Sequence, residues 1–313
     1  MPHAATTPAD AWEQDAAKRA LDELFSLTTQ YRSSKAYHDL LRFVARFRFY
    51  SPFNAMLVHV QMPGARYVAP PHRWLRDHGR RIRPGARPLV ILQPMGPVMF
   101  VFDVSDTEPI EGAPPLPPEV VNPFEVRKGQ VGGEPGLVIE NAKRDGVRVM
   151  ESNEGSQSAG SISCVAKDVG QTQGFHAGFD RDRRPILMDI PVRYELVTNK
   201  KISREAQYVT IVHELAHLYC GHLGTPDDRW WPDRRGLNHN VWELEAESVA
   251  YLVRTRAGLD NPSEQYLAGY VGKQEQVPSL SLECVMKAAG LIEQMSKERM
   301  KPRPVQAERR PTP

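Results

Sequence analysis

The chain has 313 residues, 41% of them hydrophobic and 25% charged, with a formal net charge of +2. That length accommodates two domains with cores of their own, and the balance is that of an ordinary globular protein. It excludes a collagenous or wholly disordered chain. No apolar run approaches the roughly 20 residues of a membrane span, so no membrane association is expected. The N-terminus lacks the apolar core of a secretory signal. Cys164, Cys220 and Cys284 are odd in number and widely spaced, which is not a disulfide framework, so a reducing cytoplasm is the expected setting.

In chain order, Trp12, Ala16, Ala20, Leu24 and Leu27 recur at helical spacing and predict a helix over residues 9–28. A second helix is expected over 34–49. Ser51-Pro52 reads as an N-cap with proline at the first helical position, opening a short helix through Val60. A helical piece around Trp74 follows. The apolar runs PLVILQP and VMFVFDV flank Met95-Gly96-Pro97 and predict a β-hairpin. From Asp106 to Pro135 the density of proline and glycine rises, which predicts a linker over 109–134 between domains at 9–108 and 135–297. LVIEN, VRVME and RPILMDI read as strands, the chain turns helical from Ser203, and residues 298–313 read as a disordered basic tail.

Charge is distributed unevenly. Arg42, Arg46, Arg48, Arg66, Arg73, Arg76, Arg80, Arg81, Arg83 and Arg87 fall between Leu40 and Leu89, opposed only by Asp77. Such an excess fits either a polyanionic partner or a solvated face. Tyr50, Phe53, Tyr67 and Trp74 in the same region are either stacking platforms for bases or core residues. Asn54 stands in an otherwise apolar helix and needs a partner, which is either a nucleotide or a neighbouring loop.

The segment TIVHELAHLYCGH sets His213 and His217 four residues apart, on one face of a helix, where both imidazoles reach one ion. Glu214 adjoins the first of them, placed to take a proton from water. HExxH arises by chance in roughly 1% of chains this long, so the third ligand decides. A metzincin would carry glycine and histidine where Cys220 and Leu223 stand, which leaves His222 or a residue of the next helix, NHNVWELEAESVAYLV. There Glu243 and Glu247 are one turn apart, and Glu245 points to the other side. Glu243 is the expected third zinc ligand, with Glu247 supporting the site from behind, as in gluzincins. Cys220 is read as a small buried residue. Tyr219, His222 and His239 are candidates for stabilising an oxyanion.

The stretch RYELVTNKKISREAQYVTIVHELAHLYCGHLG, with WELEAESVAYLV and SEQYLAGYV, resembles the ImmA/IrrE-like zincin domain, and more specifically the metallopeptidase half of ArdC antirestriction proteins. YSPFNAMLV and RYVAPPHRWLRDHGRRIRPGARPLVILQP are similar to the N-terminal half of that family. The resemblance implies an α+β chain of two domains: a small single-stranded-DNA-binding domain and a zincin-like metallopeptidase domain with an HExxH helix. It carries zinc ligation to His213, His217 and Glu243, and catalysis to Glu214. A protein or peptide is the implied substrate, and single-stranded DNA the implied partner, with Tyr50, Asn54, Arg66, Trp74, Arg81, Arg83 and Arg87 as candidate contacts. Two alternatives accompany this reading. One is a non-catalytic factor that coats single strands and keeps zinc as a structural ion; the other is a regulatory peptidase acting on a repressor-like partner.

Overall fold

A computed structural model describes residues 31, 33–93, 96–121, 135–153, 160–166, 170–259 and 277–303. It mixes helix and strand. The chain forms two compact units, Met1–Lys128 with Asn261–Met286 and Gly129–Asp260 with Lys287–Pro313. The helix expected over 9–28 lies outside the described residues, as do residues 304–313.

The first unit opens with α1 (Ser34–Arg46), capped by Ser33, whose hydroxyl accepts from the Ala36 N–H at 3.3 Å. It buries Tyr37, Leu40, Leu41 and Val44, the face its periodicity predicts. α2 (Pro52–Gln61) is capped by Ser51 and carries proline at its start; it is buried nearly all round. A helix so enclosed must satisfy its polar side chains internally, and it does so on one strand. Asn54 donates to the Leu92 carbonyl at 3.0 Å and accepts from the Leu92 N–H at 2.9 Å. Gln61 makes the same paired contact with Val90, both bonds at 2.8 Å. Leu92 and Val90 lie on β3 (Leu89–Gln93).

That strand is the edge of an antiparallel sheet ordered β1-β4-β3, with β1 at Val68–Ala69 and β4 at Gly96–Asp103. The expected hairpin is therefore β3–β4, and residues 94 and 95 lie outside the described residues. α3 (Pro71–His78) ends at Gly79, whose left-handed φ of 58° suits glycine at a helix C-terminus. β2 (Arg80–Ile82) then pairs antiparallel with β5 (Thr107–Pro109). Buried Asp103 accepts from the backbone N–H groups of Arg66 and Tyr67 at 2.7 and 3.1 Å, and from Ser105 on its other oxygen. Of the expected linker, residues 109–121 are described and residues 122–134 lie outside the described residues. In the short helix α4 (Pro118–Val121), Val120 is buried against Ala69, Trp74 and Val104, so burial of an apolar side chain holds this proline-rich stretch in the first unit.

The second unit starts with α5 (Pro135–Lys143), which corrects the strand expected at LVIEN. A short apolar run does not distinguish the two by periodicity. Here Val138, Asn141 and Ala142 are buried at helical spacing. A three-stranded sheet follows, in the order β6-β10-β7. β10 (Tyr194–Asn199) lies parallel to β6 (Val147–Ser152) and antiparallel to β7 (Gly160–Cys164). β8 (Thr172–Phe179) and β9 (Pro185–Pro191) form a separate hairpin. Among the described residues the further helices are α6 (Arg204–Tyr219) and α7 (His239–Arg256), with α8 (Leu282–Lys297) entering this unit from Lys287.

Residues 298–303, counted in the expected tail, are packed. Asn141 donates to the carbonyls of Met295 and Glu298 and accepts from the Met300 N–H, at 2.7 to 2.9 Å. Arg303 bonds the buried carboxylate of Asp145 at 2.7 Å and lies over the ring of Trp230. Residues 298–303 are thereby fixed to the second unit. Among the described residues no helix is long and apolar enough to cross a membrane.

Candidate metal centre

α6 is capped by Ser203, whose hydroxyl accepts from the Ala206 N–H at 3.2 Å. Its buried face includes Ile211, Val212, Leu215 and Leu218. Fixing that face in the core turns His213 and His217 together toward α7. Their Nε2 atoms are 3.2 Å apart. Glu243 on α7 brings one carboxylate oxygen to 3.6 Å from His213 Nε2 and the other to 3.7 Å from His217 Nε2. A tetrahedral ion with bonds near 2.05 Å separates its ligands by about 3.3 Å, so the three groups stand close to the spacing such an ion requires. Their donor set, two imidazoles and one carboxylate, is one that binds zinc with a position left open.

The electrostatics also ask for a cation here. Burial lowers the His213 pKa, but the carboxylates of Glu243 and Glu247 outweigh it and push the group up to about 10. His217 is pushed down to about 3 by burial and by its histidine neighbours. Glu243 is lowered, chiefly by its contact with His213. Glu247 accepts behind His213, its Oε1 lying 3.3 Å from Nδ1, so Nε2 is the atom presented to Glu243, where a bound cation would take the place of its proton.

Glu214 is buried, and burial raises its pKa despite a hydrogen bond from the backbone of Ile162. Ile162 lies on β7, an outer strand of its sheet among the described residues. The strand and helix meet at Gly160, where a β-carbon would come within 2.4 Å of Thr210 and 2.6 Å of the Val197 carbonyl. Only glycine permits that approach.

Glu245 and His222 were less legible in the sequence. Glu245 does point away from the three-residue group, yet it is fully buried and accepts from Arg234 through both oxygens, at 2.6 and 2.7 Å. His222 lies in the turn after α6, yet it is buried between Glu245 and His217, at 2.9 Å from each. Cys220, His222 and Glu245 also lie close enough together to suit a metal ion, but Arg234 already holds both carboxylate oxygens. Of the oxyanion candidates, Tyr219 is buried and donates to Asp145 at 2.9 Å, and its pKa is raised well above the ordinary value by burial. His239 is the exposed one, with Nδ1 at 3.8 Å from Glu243.

In the first unit, two of the expected DNA contacts are corrected. Trp74 is 0% exposed and donates to the Phe102 carbonyl at 2.9 Å, so its faces are in the core. Asn54 has its amide engaged on Leu92. Tyr50 donates its hydroxyl to the Val68 carbonyl at 3.1 Å, and burial pushes its pKa up to about 12. Arg66, Arg81, Arg83 and Arg87 are exposed, although Arg81 pairs with Glu108 at 2.6 Å.

No family model matches the chain, and no curated protein does. Two solved structures are similar to it: the antirestriction protein ArdC from plasmid R388 in a metal-free and in a Mn(II)-bound form. Each is 14% identical, with 79% of this chain and 82% of that chain covered, at TM-scores of 0.30 and 0.32. Both superpose loosely.

Proposed function

We propose that the chain is a zinc-dependent metallopeptidase whose other unit binds single-stranded DNA. The observation that carries the first half is the convergence of His213, His217 and Glu243 beside the buried carboxylate of Glu214. His213 Nε2, His217 Nε2 and the Glu243 carboxylate are the ligands. Held by these three residues, zinc would supply Lewis acidity, the property that lowers the pKa of water and polarises a carbonyl. Glu214 is the general base. Its raised pKa, set by burial, suits it to take a proton from water and return it to the leaving amine.

A peptide is favoured as substrate by the neighbouring strand. β7 is an outer strand of its sheet among the described residues, and the Ile162 backbone reaches Glu214, which sets the general base beside a strand, the kind of element an extended chain lies along. The test is Glu214→Gln, compared with wild type in a proteomic screen for cleaved proteins. The mutant keeps its zinc and its melting behaviour and loses hydrolysis. Equal cleavage by both proteins sinks the peptidase reading.

The DNA half rests on the sequence resemblance, which also implies an antirestriction role, and on the exposure of Arg66, Arg81, Arg83 and Arg87. Such arginines supply phosphate neutralisation without sequence preference. With Trp74 in the core, stacking falls to exposed rings of the same unit such as Phe49, which is 46% exposed.

A further inference from the structure

His222 follows α6 by three residues and is fully buried, its ring stacked on Trp242 at 5.4 Å with only 9° between the planes. Its Nδ1 lies 2.9 Å from Nδ1 of His217, and its Nε2 lies 2.9 Å from Oε2 of Glu245. Glu245 in turn holds Arg234 through both oxygens, and the same guanidinium donates to the Cys220 carbonyl at 3.1 Å.

Counting donors along this row gives each bond a direction. A carboxylate that grips a guanidinium is ionised and offers only lone pairs, so His222 Nε2 carries the hydrogen between them. As the neutral imidazole, His222 then presents a lone pair at Nδ1. His217 Nδ1 must donate to it, which leaves the His217 lone pair on Nε2, the atom that faces His213 and Glu243.

We propose that His222, clamped by Glu245 and Arg234, is the positioning residue for His217: it fixes the orientation and tautomer of that ring so that Nε2 is presented as a ligand atom. This rests on the reading of His213, His217 and Glu243 as a metal centre. The two ligand imidazoles are thus supported differently, His213 by the carboxylate of Glu247 and His217 by another imidazole. Groups behind ligand histidines raise affinity by holding the ring and its tautomer before the ion arrives.

The test uses the full-length protein and zinc in competition with a chelating dye. His222→Leu keeps the bulk and removes both hydrogen bonds, and it should weaken zinc binding by about 10- to 100-fold. His222→Gln offers an amide oxygen toward His217 and an amide N–H toward Glu245, the same order of acceptor and donor, and should recover most of the loss. The visible spectrum of bound cobalt should move in the leucine variant and return in the glutamine variant. A folded His222→Leu protein that binds zinc as wild type does overturns the proposal, as does equal weakening by leucine and glutamine. His213→Ala separates the two readings, because wild-type zinc affinity in that variant removes the metal centre itself. A measurement on unaltered protein guards against a misfolded variant. The ring-nitrogen chemical shifts of His217 in the metal-free chain must report hydrogen on Nδ1, and hydrogen on Nε2 overturns the assignment.

Discussion

A β-carbon added to Gly221 would stand 2.0 Å from the carbonyl oxygen of Pro232. Gly221 also has a φ of +85°, and its own carbonyl accepts the Arg234 N–H at 2.8 Å. It therefore joins the end of α6 to the loop that delivers Arg234, and seats His222 beside it. Gly221→Ala combines a left-handed backbone with a backbone clash, each costly for an L-residue. The expected outcome is a loss of at least about 2 kcal/mol in stability by denaturant titration, together with weaker zinc binding.

The proposed metal centre predicts a stoichiometry. Purified protein should carry one zinc per chain by elemental analysis, following the three-ligand pattern of catalytic sites. His213→Ala, His217→Ala and Glu243→Ala should each lose most of it. Normal zinc content in Glu243→Ala would remove that residue from the ligand set.

Two substitutions separate core from contact in the first unit. Trp74→Ala deletes a fully buried ring and should cost about 3–5 kcal/mol. Asn54→Ala strips the partners from both backbone groups of Leu92 and should cost about 1–3 kcal/mol. Both effects appear in chemical denaturation without any nucleic acid present. A Trp74→Ala protein of wild-type stability but impaired DNA binding would restore the ring as a stacking platform.

Nucleic-acid binding should depend on salt through the exposed arginines. Reversing the charge at Arg83 and Arg87 together should weaken binding to single-stranded DNA and flatten the salt slope by about 0.7 for each phosphate no longer neutralised. Fluorescence anisotropy at several salt concentrations measures both quantities in the full-length chain. An unchanged slope makes these arginines a solvated face.

His59 predicts an acid limb in stability. It is 6% exposed, in contact with the rings of Phe43 and Tyr31, and burial pushes its pKa down to about 4. Below its unfolded value near 6.5 the unfolded chain binds the proton more readily, so stability falls with the pH. The contribution is whole above about pH 6.5 and is lost as the pH falls toward 4. Denaturation midpoints between these limits should drop more steeply for wild type than for His59→Leu, and parallel curves would exclude His59 as the cause.

What the sequence determined by itself is local. The spacing of His213 and His217 places two imidazoles on one turn of a helix, because helical geometry alone fixes that relation. Ser51-Pro52 and Ser203 mark helix starts for an equally local reason, a side chain that caps a free N–H. Favouring Glu243 over Glu245 as a ligand was legible as a choice of helix face, but only the packing of α7 on α6 brings that face to His213. Everything that depends on burial was decided by the tertiary structure. Trp74 and Asn54 have the composition of nucleic-acid contacts and are core residues because a sheet and its strand edge close over them. LVIEN is equally good as strand or helix until its neighbours choose the helix. The row from His217 through His222 and Glu245 to Arg234 joins two helices, a turn and a loop, and hydrogen-bond direction along it exists only once folding has excluded water and set each group against its neighbour.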